Sequence, residues 1–125
     1  LACSYINVGC EAFHLGQIEL IGMNDPERDS WARVIAEIRE YARTHARRHW
    51  VLLDAHTPYG GMVRNGVSLL DFNSFPLRIK EIPSEPYKAE LAVNHLDALY
   101  KKSKGCISPS GWKCEHLPYL VEFDN

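Results

Sequence analysis

Trp50-Val51-Leu52-Leu53-Asp54-Ala55-His56-Thr57-Pro58-Tyr59-Gly60-Gly61 decides how the chain is read. Four apolar residues are followed by an acid, a histidine and a loop punctuated by proline and paired glycines. A short continuous apolar run suits a strand buried on both faces, as in a parallel sheet covered by helices. Just upstream, Asn24-Asp25-Pro26-Glu27 is a helix-start signal, with a capping side chain, an early proline and an acid near the positive dipole end. Trp31, Val34, Ile35, Ile38, Tyr41, Ala42 and His45 then recur at three- to four-residue spacing, which predicts an amphipathic helix to about Ala46. Arg43, Arg47 and Arg48 close it, where cations complement the dipole. A helix feeding a buried strand is half of a βα repeat, and that order predicts an α/β architecture with parallel strands.

On either side of this unit the pattern is less regular. Ser4 to Cys10 has the β-branched and aromatic content of a short strand. Glu11 to Met23 fits either a loop with a short helix or an extended strand. Asn65-Gly66, between Met62-Val63 and Val67-Leu69-Leu70, predicts a type I′ hairpin. Asp71 to Pro86 holds three prolines and reads as loop, and Lys88 to Lys102 fits either a helix or, by a narrow preference, a strand feeding a short helix. Leu117 to Phe123 reads as a buried strand.

With 125 residues the chain supplies one domain's worth of sequence. The abrupt stop after the Leu117–Phe123 run, and a start without Met, read as a piece cut from a longer protein. Fourteen basic against sixteen acidic residues leave a net charge of −2, so no electrostatic footprint for nucleic acid is present. No apolar run approaches the ~20 residues of a membrane-spanning helix. The cysteines at 3, 10, 106 and 114 form no C-x-x-C. They read as buried free thiols, with a disulfide such as Cys106–Cys114 or metal binding as the alternatives.

The chemistry is suggested by position. Three expected strands end in acid: Val8-Gly9-Cys10 into Glu11, Leu52-Leu53 into Asp54, and Leu120-Val121 into Glu122 with Asp124 behind it. Parallel α/β folds place their ligands at the carboxyl ends of the strands. Carboxylates gathered there push one another's pKa values apart, giving an acid and a base or nucleophile for glycoside hydrolysis. Glu11, Asp54 and Glu122 are therefore the candidate catalytic groups. His14, Gln17, Glu19, His56, Asp71, Asn73 and Asp124 are candidate partners for sugar hydroxyls, and loop aromatics Trp112 and Tyr59 could stack on pyranose rings. This reading needs no cofactor and no metal. A metal-dependent hydrolase is the competing reading, because Asp54-x-His56 puts two ligand types on one side of a strand, with His14 or Glu11 to complete the set.

Tyr5-Ile6-Asn7-Val8-Gly9-Cys10-Glu11-Ala12-Phe13-His14-Leu15-Gly16-Gln17, the Trp50–Thr57 stretch and Leu120-Val121-Glu122-Phe123-Asp124-Asn125 resemble the strand ends of bacterial glycoside-hydrolase-like (β/α)8 barrel proteins. The resemblance implies that residues 1–125 are part of a (β/α)8 TIM-type barrel. It also implies a carbohydrate-active protein working on an oligosaccharide or polysaccharide, either a glycosidase or a non-catalytic glycan-binding relative. A full barrel of this kind needs ~250 residues.

Overall fold

The computed structural model describes residues 1–91, 98 and 100–124. The chain order is helix α1 (Ala2–Asn7), strand β1 (Ala12–His14), helix α2 (Ile18–Ile21), a 3-10 turn (Gly22–Asn24) and helix α3 (Asp29–His45). Strands β2 (Leu52–His56), β3 (Val63–Arg64), β4 (Val67–Ser68), β5 (Phe72–Glu81), β6 (Ala89–Leu91), β7 (Cys106–Ile107), β8 (Lys113–Cys114) and β9 (Tyr119–Asp124) follow. Among the described residues, no helix is long and apolar enough to cross a membrane.

Helix α3 forms close to where the sequence predicts it, but it starts at Asp29, after Pro26 and Glu27, with Arg28 at the N-cap. The Asp25 carboxylate accepts the amides of Asp29, Ser30 and Trp31 at 3.0, 2.9 and 3.4 Å, satisfying first-turn donors that the helix itself cannot. Its apolar stripe buries Ile35, Ile38 and Ala42 in one cluster with Val51, Leu53 and Ala55 around β2. Strands β1, β2, β5 and β9 run parallel in that spatial order, and α3 is the crossover between β1 and β2. Strand β6 adds antiparallel to the far end of β5. A second sheet has the order β3-β4-β7-β8. Its β3–β4 turn is the expected hairpin, with φ of 51° at Asn65 and 76° at Gly66, as a type I′ turn requires.

Several expectations are corrected. Residues 2–7 are helical, not a strand, because α1 docks on α3: Ile6 is buried and Tyr41 donates its hydroxyl to Asn7 Oδ1 at 2.9 Å. Glu11 therefore precedes β1 and does not end a strand. The expected loop at 71–86 is largely the ten-residue β5. Pro76 is tolerated there because it lies where β5 pairs with β9 alone: β2 stops at Ser74 and β6 starts at Ile79. Strand β2 is buried on one face only, and Leu120 and Val121 of β9 are also exposed. The strand expected after Lys88 is β6, whereas residues 92–97 and 99 lie outside the described residues.

The barrel is overturned as well. Four parallel strands form an open sheet, and the crossover from β2 to β5 runs through the β3–β4 hairpin and contains no helix. A chain of 125 residues cannot close eight strands with eight helices. The molecule is a small α/β fold with mixed sheets.

Because α3 covers only one side of the sheet, truncations on the two sides should differ. Leu53→Ala, on the covered side, should cost about 2–5 kcal/mol of unfolding free energy in a urea titration. Leu120→Ala, on the open side, should stay within about 0.5 kcal/mol.

Candidate metal centre

Strand residues alternate faces, and partners across a parallel ladder share a face. The register sets His14 beside Asp54, His56 beside Ser74, Ser74 beside Leu120, and Pro76 beside Glu122. His14, Asp54, His56, Ser74 and Glu122 thus stand together on the side of the sheet that α3 leaves open. Their contacts are short. His14 Nδ1 lies 2.9 Å from Asp54 Oδ2, 3.3 Å from Ser74 Oγ and 3.8 Å from Glu122 Oε1. His56 Nε2 lies 2.9 Å from Glu122 Oε2, and the two imidazoles meet edge to face with centroids 4.5 Å apart.

One ligand atom from each of His14, His56 and Glu122 lies within 4.8 Å of the other two. Zinc bonds of ~2.0–2.2 Å allow two ligand atoms on one ion to be up to about 4.2 Å apart. The His56 Nε2–Glu122 pair satisfies that limit at 2.9 Å, whereas His14 would bind through Nε2, because its Nδ1, 3.8 Å from Glu122, is engaged by Asp54. Asp54, 18% exposed, is the natural outer partner: with the Nδ1 proton of His14 on Asp54, the lone pair of a neutral imidazole sits on Nε2.

The Glu122 carboxyl feels opposing influences. Burial raises its pKa, but the hydrogen bond and charge of His56, the Ser74 hydroxyl and the charge of His14 outweigh that and hold it below the ordinary value of 4.5.

The other candidates fall elsewhere. Glu11 accepts the Arg48 amide at 2.6 Å and its guanidinium at 2.9 Å, so it ties the end of α3 to the start of β1. Asp71 accepts the Leu53 amide and Arg39, at 2.9 and 3.0 Å. Asn73 is buried on the opposite side of the sheet and accepts the Thr57 hydroxyl at 2.9 Å. Glu19, only 1% exposed, is sequestered from any ligand: it accepts the amides of Tyr59 and Gly61 at 2.8 and 3.0 Å. Gln17 is exposed at the start of α2. Trp112 is 74% exposed beside β8 in the second sheet. Asp124 ends β9, and its side chain lies outside the described residues. Of the three expected catalytic acids, Asp54 and Glu122 come together and Glu11 does not.

Sequence reasoning missed Ser74, hidden by the loop reading of 71–86. It also missed that Glu122 pairs with His56; the only available signal was alternation along 72–76 and 119–123.

No family model, curated protein or solved structure matches the chain. The likeness to glycoside-hydrolase-like barrels thus has no support in these comparisons, and the open sheet contradicts it.

A carboxyl whose pKa is lower in the folded than in the unfolded chain stabilises the fold above the unfolded value, and that contribution is lost as pH falls through the folded value. The contribution of Glu122 to the stability difference between the wild-type chain and Glu122→Gln should shrink as pH falls below 4.5 through the folded value, measured by urea unfolding at stepped pH. His56→Ala should raise the Glu122 midpoint in a carbon-detected NMR titration.

Proposed function

We propose that the open face of the parallel sheet is a divalent transition-metal site, with His14, His56 and Glu122 as ligands, and that the chain is a metal-dependent hydrolase. The observation that carries this reading is the convergence of two imidazoles and a carboxylate on one face, within 4.8 Å. Three protein ligands leave a further coordination position open, which is the arrangement of catalytic rather than structural zinc sites. Imidazole with carboxylate suits zinc or another first-row cation better than calcium or magnesium, which favour all-oxygen shells. A bound cation would supply Lewis-acid activation for hydrolysis.

The chain's own residues have distinct tasks. Asp54 holds the His14 ring by its Nδ1 and sets its tautomer. Glu122 sits between the two imidazoles, and its lowered pKa keeps it ionised, as a ligand must be. Ser74 supplies a hydroxyl next to His14.

A second reading is a metal-free, carbohydrate-active site that binds or cleaves an oligosaccharide. One observation favours it: Asp54 and Glu122 approach the same His14 nitrogen, at 2.9 and 3.8 Å, so two carboxylates and a proton carrier share the face.

Titration calorimetry with zinc, after chelator treatment, should give one site per chain. His56→Ala and Glu122→Gln should abolish it, while Asp54→Asn, which leaves all three ligands in place, should weaken it by about 10–100-fold. Binding should also weaken as pH falls and protons compete for the imidazoles. Heat of oligosaccharide binding without any zinc heat would favour the second reading.

A further inference from the structure

Cys106 and Cys114 are register partners across the antiparallel β7–β8 pair, in the second sheet and apart from the candidate metal centre. Directly opposed residues in an antiparallel ladder have Cα atoms about 4.5 or 5.5 Å apart. Both spacings fall inside the roughly 4.4–6.8 Å Cα range of disulfides. Cys106 is buried and Cys114 half-buried, and both are free thiols. Burial, followed by the neighbouring Cys114, pushes the Cys106 thiol up, which agrees with the two sulfurs being close.

We infer that Cys106 and Cys114 are a thiol pair that closes to a cross-strand disulfide on exposure to a low-molecular-weight disulfide such as oxidised glutathione. Cys114, the more exposed thiol, attacks one glutathione sulfur as a thiolate and expels a glutathione thiolate, which takes up the released proton. Cys106 then loses its proton and attacks the Cys114 sulfur, expelling the second glutathione. Two protein thiols are oxidised to one disulfide, and one glutathione disulfide is reduced to two thiols. The bond would staple the hairpin whose turn is otherwise held by hydrogen bonds among Ser108, Ser110, Gly111 and Trp112, including the Ser108 amide on the Trp112 carbonyl at 2.8 Å. Pro109 and Ser110 of that turn line a cleft with Arg39, His49 and Trp50, so the staple fixes one wall of it.

Lys113 sits between the two cysteines, which makes the bond readable by digestion. The full chain with Cys3→Ser and Cys10→Ser is incubated with oxidised glutathione under native conditions, alkylated and cut with trypsin. The expected result is the loss of both thiols, with the peptides 105–113 and 114–125 joined until reductant is added and no glutathione retained. In the same background, Cys106→Ser should retain glutathione on Cys114. Glutathione retained by both cysteines in the parent, or two peptides fully alkylated and separate, would overturn the inference. The folded state of each variant is checked by circular dichroism before oxidation, and a parallel digest in urea should show less linked peptide than the native one.

Discussion

Strand β2 sits between β1 and β5, and its period of two sets the rest of the molecule. Leu53 and Ala55 have no accessible surface and face α3, while Asp54 and His56 point the opposite way. Slipping the strand by one residue would push two polar, ionisable groups into the core and expose the apolar pair, which is costly on both counts. Burial on one side therefore dictates where the chemistry stands on the other. The register with β1 and β5 then brings His14 and Ser74 to the same rows, and β9 delivers Glu122.

The segment after β2 is fixed by a different force. Glu19 is almost completely removed from solvent, and a buried carboxylate is tolerated only when hydrogen bonds replace its water. The amides of Tyr59 and Gly61 do so. The loop reaches that carboxylate because Gly60 and Gly61 adopt φ near +100°, and a Cβ on Gly61 would lie 1.8 Å from Leu117 Cδ1. The paired glycines thus serve the packing of this loop. They tie α2, the end of β2 and the approach to β9 together, close to where His56 and Glu122 must meet.

Legibility in the sequence followed the range of the interactions. Helix α3 was readable because Asp25 and the apolar stripe act within a few residues of each other. The β3–β4 hairpin was readable because Asn65-Gly66 carries its own turn geometry. Strand β5 was not: Pro76 and the prolines just after it say loop, and its pairing with β2, β6 and, more than forty residues on, β9 makes it a strand. Residues 2–7 were misread for a related reason, since Tyr5, Ile6 and Val8 favour a strand locally and docking on α3 overrides that preference. The loss of Glu11 from the site follows from the same helix, which moves that acid to the start of β1 and into the reach of Arg48.

By itself the sequence determined the α/β character, the main helix with its cap, the hairpin turn, and the placing of Asp54 and His56 on one side of a strand. Each depends on periodicity or on contacts between near neighbours, which a linear string displays. Only the tertiary structure decided that the sheet is open, that Glu19, Asp71 and Asn73 are engaged by hydrogen bonds within the fold, and that Glu122 reaches His14 and His56. Those outcomes depend on strand order and register between segments far apart in the chain, and on which face a helix happens to cover. Strand pairing is set by the summed burial of the whole fold, a quantity that no single stretch of residues carries.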